Sequence, residues 1–193
     1  MKLTPYEIYI RSFFLMYICY LPMFQKMKKI FSLILFALIF LNMNAQESEI
    51  TTYYFIRHAE KIRTDSINNN PDLNEIGKKR AEYWNTVFKN IEFDEIYSTE
   101  YDRTIQTATP TAKRKNLEIK FYNPDNLYDE DFQLKTKGKT VLVVGHSNTT
   151  PLFVNKILGN EKYPDMDDSN NSDLYIITIT NNVLSDVLLV VNL

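Results

Sequence analysis

The chain contains two histidines, and each follows a short apolar run. His58 comes just after Thr51–Ile56, and His146 comes just after Thr140–Val144. Both runs are rich in β-branched and aromatic residues, which favours strands. Because ligands bind outside the carboxyl ends of strands in open parallel sheets, we predict that the two histidines face one pocket. One neutral imidazole can attack phosphorus and carry the group covalently, and a second can donate to phosphoryl oxygens.

Two arginines are placed to assist this chemistry. Arg57 directly precedes His58, and Arg103 follows a third apolar run, Phe93–Tyr97. A phosphoryl group in transfer carries negative charge on three oxygens, so electrostatic clamping does most of the work. The planar guanidinium stays charged and binds phosphate through two parallel hydrogen bonds. We therefore predict that both arginines contact the phosphoryl group.

The elements that must position these side chains alternate between strands and helices. Ser98 or Thr99 is predicted to cap the helix that carries Arg103. Alternating elements of this kind predict an α/β fold, a three-layer αβα sandwich with a mostly parallel sheet. The predicted strands cover 51–56, 93–97, 117–122, 140–144 and a hairpin of 174–180 with 183–191, and the predicted helices cover 75–89, 101–115, 127–137 and 150–158.

The first 45 residues are predicted to lie outside the folded domain. After Met27 come two lysines, the apolar stretch Ile30–Leu41 and a small residue, Ala45, which is typical of a secretory signal. We interpret 1–45 as an extension plus signal, with the signal at 27–45 and Met27 as the true start. The alternative is a membrane anchor formed by the apolar N-terminal segment. The domain is then 46–193, exported to the periplasm or secreted.

Charge and cysteine content exclude several classes of function. The first 45 residues hold five of the 22 basic residues and one of the 24 acidic residues, which leaves a net charge of −6 on 46–193. Such a balance argues against a nucleic-acid partner. The single cysteine, Cys19, lies in the predicted extension, so the domain has no thiolate nucleophile and no zinc–thiolate site. We predict no metal, no cofactor and no membrane contact other than through an uncleaved N-terminal segment.

Four short motifs, taken in order, resemble those of the histidine phosphatase superfamily, whose fold is phosphoglycerate mutase-like. They are Arg57–Glu60, Leu73–Gly77, Ser98–Arg103 and Gly145–Ser147. The compact chain is most similar to the short phosphohistidine-phosphatase-type branch. The resemblance implies a metal-independent phosphohydrolase of the histidine acid phosphatase type, acting on a small phosphorylated substrate or a phosphohistidine protein.

The resemblance also implies a role for each site residue. His58 would be the nucleophile that becomes phosphorylated, and Arg57, Arg103 and His146 would form the phosphate pocket. Many members of the superfamily carry a proton-donating acid between the second and last motifs. The candidates here are Asp125 and Glu130 in that stretch, with Glu60 as a third.

Two alternative functions remain open from the sequence. If no acid reaches the leaving group, the pocket would bind a phosphorylated ligand with negligible turnover. A phosphoglycerate-type mutase is the other alternative, but it would need an additional substrate-gripping segment that the sequence does not show.

Overall fold

The computed structural model describes residues 9–10, 13–14, 16, 28–29, 31–33, 49–64 and 67–193. The chain divides into two units, Met1–Glu47 and Ser48–Leu193, and the described residues of the first unit are helical. Apart from 28–29 and 31–33, the predicted signal at 27–45 lies outside the described residues, so signal, start site and domain boundary stay predictions. No helix of the described residues is long and apolar enough to cross a membrane.

The second unit is built on one six-stranded sheet with the order β3-β2-β4-β1-β5-β6. The four strands from β3 to β1 are parallel, β5 runs antiparallel to β1, and β6 runs antiparallel to β5. The elements are β1 (Ile50–Arg57), α1 (Glu75–Val87), β2 (Glu95–Ser98), α2 (Asp102–Lys115), β3 (Ile119–Phe121), α3 (Glu130–Thr136), β4 (Thr140–Gly145), α4 (Thr149–Leu158), β5 (Asp173–Thr180) and β6 (Val183–Val190).

Helices cover both faces of this sheet. Alternate residues of a strand point to opposite faces, so the central strands contribute to two apolar clusters. One cluster includes Phe132 of α3 and Phe153 of α4, and the other includes Trp84 of α1 and Ala108 of α2. The predicted three-layer αβα sandwich with a mostly parallel sheet is confirmed.

The helix predicted at 127–137 is shorter than expected. It begins at Glu130 because the Asp129 carboxylate caps it, accepting a hydrogen bond from the Phe132 amide at 2.8 Å. Tyr128, just before the cap, has a φ of 56° and cannot belong to a right-handed helix. Leu127 is buried by tertiary packing instead.

The predicted cap of α2 is wrong. The helix begins at Asp102, and its N-cap residue, Tyr101, makes no side-chain capping hydrogen bond. The Asn70 side chain accepts from the Asp102 amide at 2.9 Å instead. The Ser98 hydroxyl donates to the Thr99 carbonyl, and the Thr99 hydroxyl contacts the His146 ring. Pro110 lies within α2 and does not end it.

The C-terminal hairpin forms as predicted. Asn181 and Asn182 both have positive φ values, 50° and 65°, as a tight two-residue turn between twisted strands requires. The hairpin places β5 beside β1, and the loop that precedes β5 reaches the carboxyl end of β1.

Candidate active site

The His58 side chain is held at the end of β1 mainly by backbone groups. It is 3% exposed, and its amide donates to the Gly145 carbonyl at 2.9 Å. The Asn171 amide group donates to the His58 carbonyl at 2.8 Å. Nδ1 lies 2.7 Å from the Ala59 carbonyl oxygen. Because a carbonyl only accepts, Nδ1 carries the proton and Nε2 presents its lone pair.

The surroundings of His58 keep its imidazole neutral. Burial lowers the pKa of His58 to about 3, the hydrogen bond to the Ala59 carbonyl opposes this shift, and smaller effects of Arg57, His146 and Arg103 act in the same direction as burial. At neutral pH the ring is therefore unprotonated at Nε2. That is the form in which an imidazole acts as a nucleophile.

His146 lies against His58 at the end of β4, with the two ring centroids 5.4 Å apart. Its Nε2 is 3.0 Å from the Thr99 hydroxyl, and its Nδ1 is 3.4 Å from Nη2 of Arg103. Since arginine only donates, Nδ1 accepts and Nε2 donates to Thr99. Burial, followed by the charges of Arg103, Arg57 and Lys61, lowers the pKa of His146 to about 4.

The Arg57 guanidinium is fixed by the loop before β5. Its Nη1 donates to the carbonyls of Asp167, Asp168 and Asn170 at 2.9, 3.0 and 2.9 Å. Its Nη2 donates to the Asp168 carboxylate at 2.7 Å. The remaining donor, Nε, is buried without a protein partner. Arg57 therefore keeps one N–H group available for a ligand.

Arg103 keeps two buried donors without a protein partner, Nε and Nη1. Its guanidinium lies 4.4 Å from the Tyr101 ring centroid, and burial lowers its pKa. The Thr107 hydroxyl donates to the Arg103 carbonyl at 2.7 Å and accepts from the Ala59 amide at 2.9 Å, which ties α2 to the loop after β1. A phosphoryl group supplies the acceptors that these unpaired donors lack.

The Glu60 carboxylate is occupied by a neighbouring cation. Nε of Arg80 donates to its two oxygens at 2.8 and 3.0 Å. The Glu60 backbone lies so close to Gly77 that a Cβ atom there would meet the Glu60 carbonyl oxygen at 2.1 Å. Glu60 thus packs the loop after β1 against α1, as a structural ion pair.

The other two acid candidates lie in and after the β3–α3 connection. Asp125 is exposed, and its amide donates to the Asn123 side chain at 2.9 Å. Glu130 is exposed at the first position of α3. The side chains that contact the two histidine rings include neither of them. The structure thus brings together His58, His146, Arg57 and Arg103, and the proton donor stays a prediction.

Four residues near the site were missed by sequence reasoning. Thr99 was interpreted as a helix cap. Asp168 and Asn171 lie in the loop before β5, which has no periodic pattern and no motif. Lys61 directly follows a motif, and its charge reaches Arg103 and His146, yet a single lysine in a loop gives no signal by itself. In the described part of the chain, no cluster of three or more metal-ligating side chains occurs.

The chain is similar to known phosphatases and mutases. Residues 53–123 match the family model "Histidine phosphatase superfamily (branch 1)". Among curated proteins, none matches the chain.

Solved structures share its fold at low identity. A proposed phosphohistidine phosphatase, SixA, from Agrobacterium tumefaciens is 18% identical, with a TM-score of 0.52 over 72% of this chain and 97% of that one. A phosphoglycerate mutase from Bacillus anthracis is 16% identical, with a TM-score of 0.55 over 74% and 94%. A phosphoserine phosphatase from Entamoeba histolytica is 15% identical, with a TM-score of 0.54 over 70% and 94%.

Proposed function

We propose that this chain, which belongs to the histidine phosphatase superfamily, hydrolyses phosphomonoesters or phosphohistidine through a covalent phosphohistidine on His58. One observation supports this above the others: a buried neutral imidazole with a free Nε2 lies beside a second imidazole and two arginines, which together have three buried guanidinium nitrogens without a hydrogen-bond partner. Unpaired buried donors are costly unless a ligand satisfies them.

The proposed reaction has two steps. First, Nε2 of His58 attacks phosphorus, and the bond from phosphorus to the leaving group breaks. The phosphoryl oxygens accept from the free donors of Arg57 and Arg103 and from Nε2–H of His146, which is then shared with the Thr99 hydroxyl. Second, water attacks the phosphohistidine, the P–N bond breaks, and inorganic phosphate leaves. The proton of the water passes to the departing phosphate or to solvent.

Within 49–64 and 67–193, the site has no identified side chain that could donate a proton to the leaving group. Glu60 is paired with Arg80, and Asp125 and Glu130 contact neither histidine ring. A phosphoramidate, or an ester whose alcohol has a low pKa, leaves without a strong acid. We therefore favour substrates of the short phosphohistidine-phosphatase-type branch, either small molecules or a phosphohistidine protein.

The same observation favours a second candidate function. If no acid reaches the leaving group, the pocket binds a phosphorylated ligand with negligible turnover. The mutase alternative needs a substrate-gripping segment. The connection from β3 to α3 comprises only residues 122–129, so we do not favour it.

We further propose a metal-independent enzyme of the histidine acid phosphatase type, exported by the segment at 27–45 or held in the membrane by it. Its substrate would be a small phosphorylated compound or a phosphohistidine protein, without nucleic acid. Activity in the presence of EDTA tests the metal independence, and mass spectrometry of the exported protein tests cleavage at residue 45.

The test is phosphate release from an aryl phosphate in EDTA by the wild-type chain and by His58→Ala. We expect activity in the wild type and a loss of at least about 10⁴-fold in the variant, because the nucleophile is gone. Lys79→Ala, an exposed position on α1, is the matched control and should retain full activity. Equal activity of wild type and His58→Ala would overturn the proposal. Ligand-induced stabilisation by phosphate without any turnover would favour the binding module.

A further inference from the structure

Lys61 is an unusual lysine in this chain. Among the described residues, the other lysines are either exposed or ion-paired with a carboxylate, whereas Lys61 is partly buried and its ammonium group has no hydrogen-bond or ion-pair partner. A partly buried charge without a partner costs stability. Because packing does not explain this unpaired charge, its presence suggests a role of Lys61 in binding.

The surroundings of Lys61 increase this cost. Burial lowers its pKa, and the positive charges of Arg103, Arg63 and Arg57 lower it further. Its own charge reaches His146. Repulsion between like charges in a native pocket is typical of a site that an anion fills.

One carboxylate partly offsets these charges, and it is already shared. Asp168 pairs with Nη2 of Arg57 at 2.7 Å and with Nη1 of Arg63. Four cations surround the pocket: Arg57, Lys61, Arg63 and Arg103. In the described part of the chain, no other carboxylate forms an ion pair with any of them. Positive charge therefore remains in excess at this edge of the sheet, although the whole chain has a net charge of −2.

The backbone holds Lys61 beside the pocket. It forms an isolated antiparallel bridge with Leu73, and the Ile62 amide donates to the Asp72 carbonyl at 2.8 Å. The Asn74 side chain, which caps α1, also donates to the Lys61 carbonyl at 3.3 Å. Lys61 is thus fixed, three residues after His58, by backbone contacts to the segment that leads into α1.

From this arrangement we propose that Lys61, assisted by Arg63, binds a second anionic group on the substrate, next to the phosphoryl group that His58 accepts. The inference rests on the proposed function. A phosphoryl group carries up to two negative charges and is met by the free donors of Arg57 and Arg103. Lys61 then remains to bind a carboxylate or another phosphate. The substrate class is a phosphorylated compound with an additional negative charge near the transferred group.

The test compares two substrates that differ in charge alone. The full chain is given 3-carboxyphenyl phosphate and 3-carbamoylphenyl phosphate, and kcat/KM is measured for both with wild type, Lys61→Gln, Lys61→Arg and Lys78→Gln. We expect wild type to prefer the carboxylate about tenfold, as a charged hydrogen bond provides. The preference should vanish in Lys61→Gln and survive in Lys61→Arg. Lys78→Gln, at an exposed ion pair on α1, should match wild type.

Each outcome has a distinct meaning. Equal rates of wild type on both substrates would overturn the second anion site while leaving the phosphatase proposal intact. A wild-type preference that persists in Lys61→Gln would also overturn the role of Lys61. If neither substrate is hydrolysed, that result counts against the proposed function. Calorimetry then tests the anion site directly, through the ratio of the two binding constants, which should favour the carboxylate compound in wild type and not in Lys61→Gln.

Discussion

The ends of β1 and β4 each supply a histidine, but they hold it in different ways. His58 at the end of β1 is fixed by the main chain, through the Ala59 and Gly145 carbonyls. His146 at the end of β4 is more exposed, and its ring is oriented by two side chains, Thr99 just after β2 and Arg103 of α2. A group that forms a covalent bond needs one fixed position and tautomer, and backbone contacts provide both. A group that stabilises transferred charge can be held by side chains.

The two arginines differ in the same way. Arg57, on β1, uses most of its donors on backbone carbonyls of the loop before β5 and leaves Nε free. Arg103, on α2, leaves two donors free and uses one on His146. Under the proposed function, we therefore expect Arg57 mainly to support the site and Arg103 to make most of the contacts with the phosphoryl group.

Of the changes that test this comparison, replacing Arg103 should have the largest effect on kcat/KM. Arg103→Met removes two free donors and the partner of His146 Nδ1, so we expect kcat/KM to fall about 10²–10³-fold, as for the loss of a charge-stabilising donor. Steady-state kinetics on an aryl phosphate measures it. Lys113→Met, an exposed position on the same helix, is the control. A loss under threefold in Arg103→Met would contradict its role as the main clamp.

Acid should destabilise the fold through its neutral histidines. A histidine whose folded pKa is depressed adds stability that is present above its unfolded pKa of about 6.5 and is lost as pH falls toward the folded value. With a folded pKa of about 4 for His146, the loss between pH 7 and pH 5 is about 2 kcal/mol. Urea unfolding at pH 7 and pH 5 measures this decrease in the free energy of unfolding. In His146→Gln the decrease should be smaller than in wild type by about 2 kcal/mol. An equal decrease in both proteins would contradict a neutral His146.

Removing the hydroxyl that orients His146 should have the smallest effect. Thr99→Val keeps the shape of the side chain but leaves Nε2–H of His146 without its acceptor, so we expect about a tenfold loss of kcat, about 1.4 kcal/mol. Thr86→Val, which removes a hydroxyl bonded to the Glu82 carbonyl on α1, controls for the substitution itself. If both variants match wild type, side-chain orientation of His146 is unimportant.

The strand ends were predictable from the sequence because they depend on local pattern. The β-branched run Thr140–Val144 and the aromatic run Thr51–Ile56 end at the histidines, and parallel pairing brings Arg57 level with Gly145. The sheet order needs long-range pairing, but the shared edge follows from strand direction alone. The sequence pattern also placed Arg103 near the start of a helix that follows a strand, and the structure has it at the second position of α2.

The frame around the site could not be predicted in this way. Arg57 is held mainly by carbonyl oxygens, which every residue has, so the sequence of the loop before β5 gives no signal of its role. Thr99 follows a strand and precedes a helix, a position typical of a cap, and its bond to His146 depends on tertiary structure. Asp168 and Lys61 act through their charges on residues that are distant in sequence, and only folding brings these charges together.

The most direct test of the account is to trap the phosphorylated enzyme. The chain is mixed with an aryl phosphate for milliseconds, quenched in alkali, in which phosphohistidine survives, and digested for mass spectrometry. We expect a phosphoryl group on His58 and none on His146. A phosphoryl group on another residue, or phosphate release with no phosphoenzyme at any quench time, would contradict it.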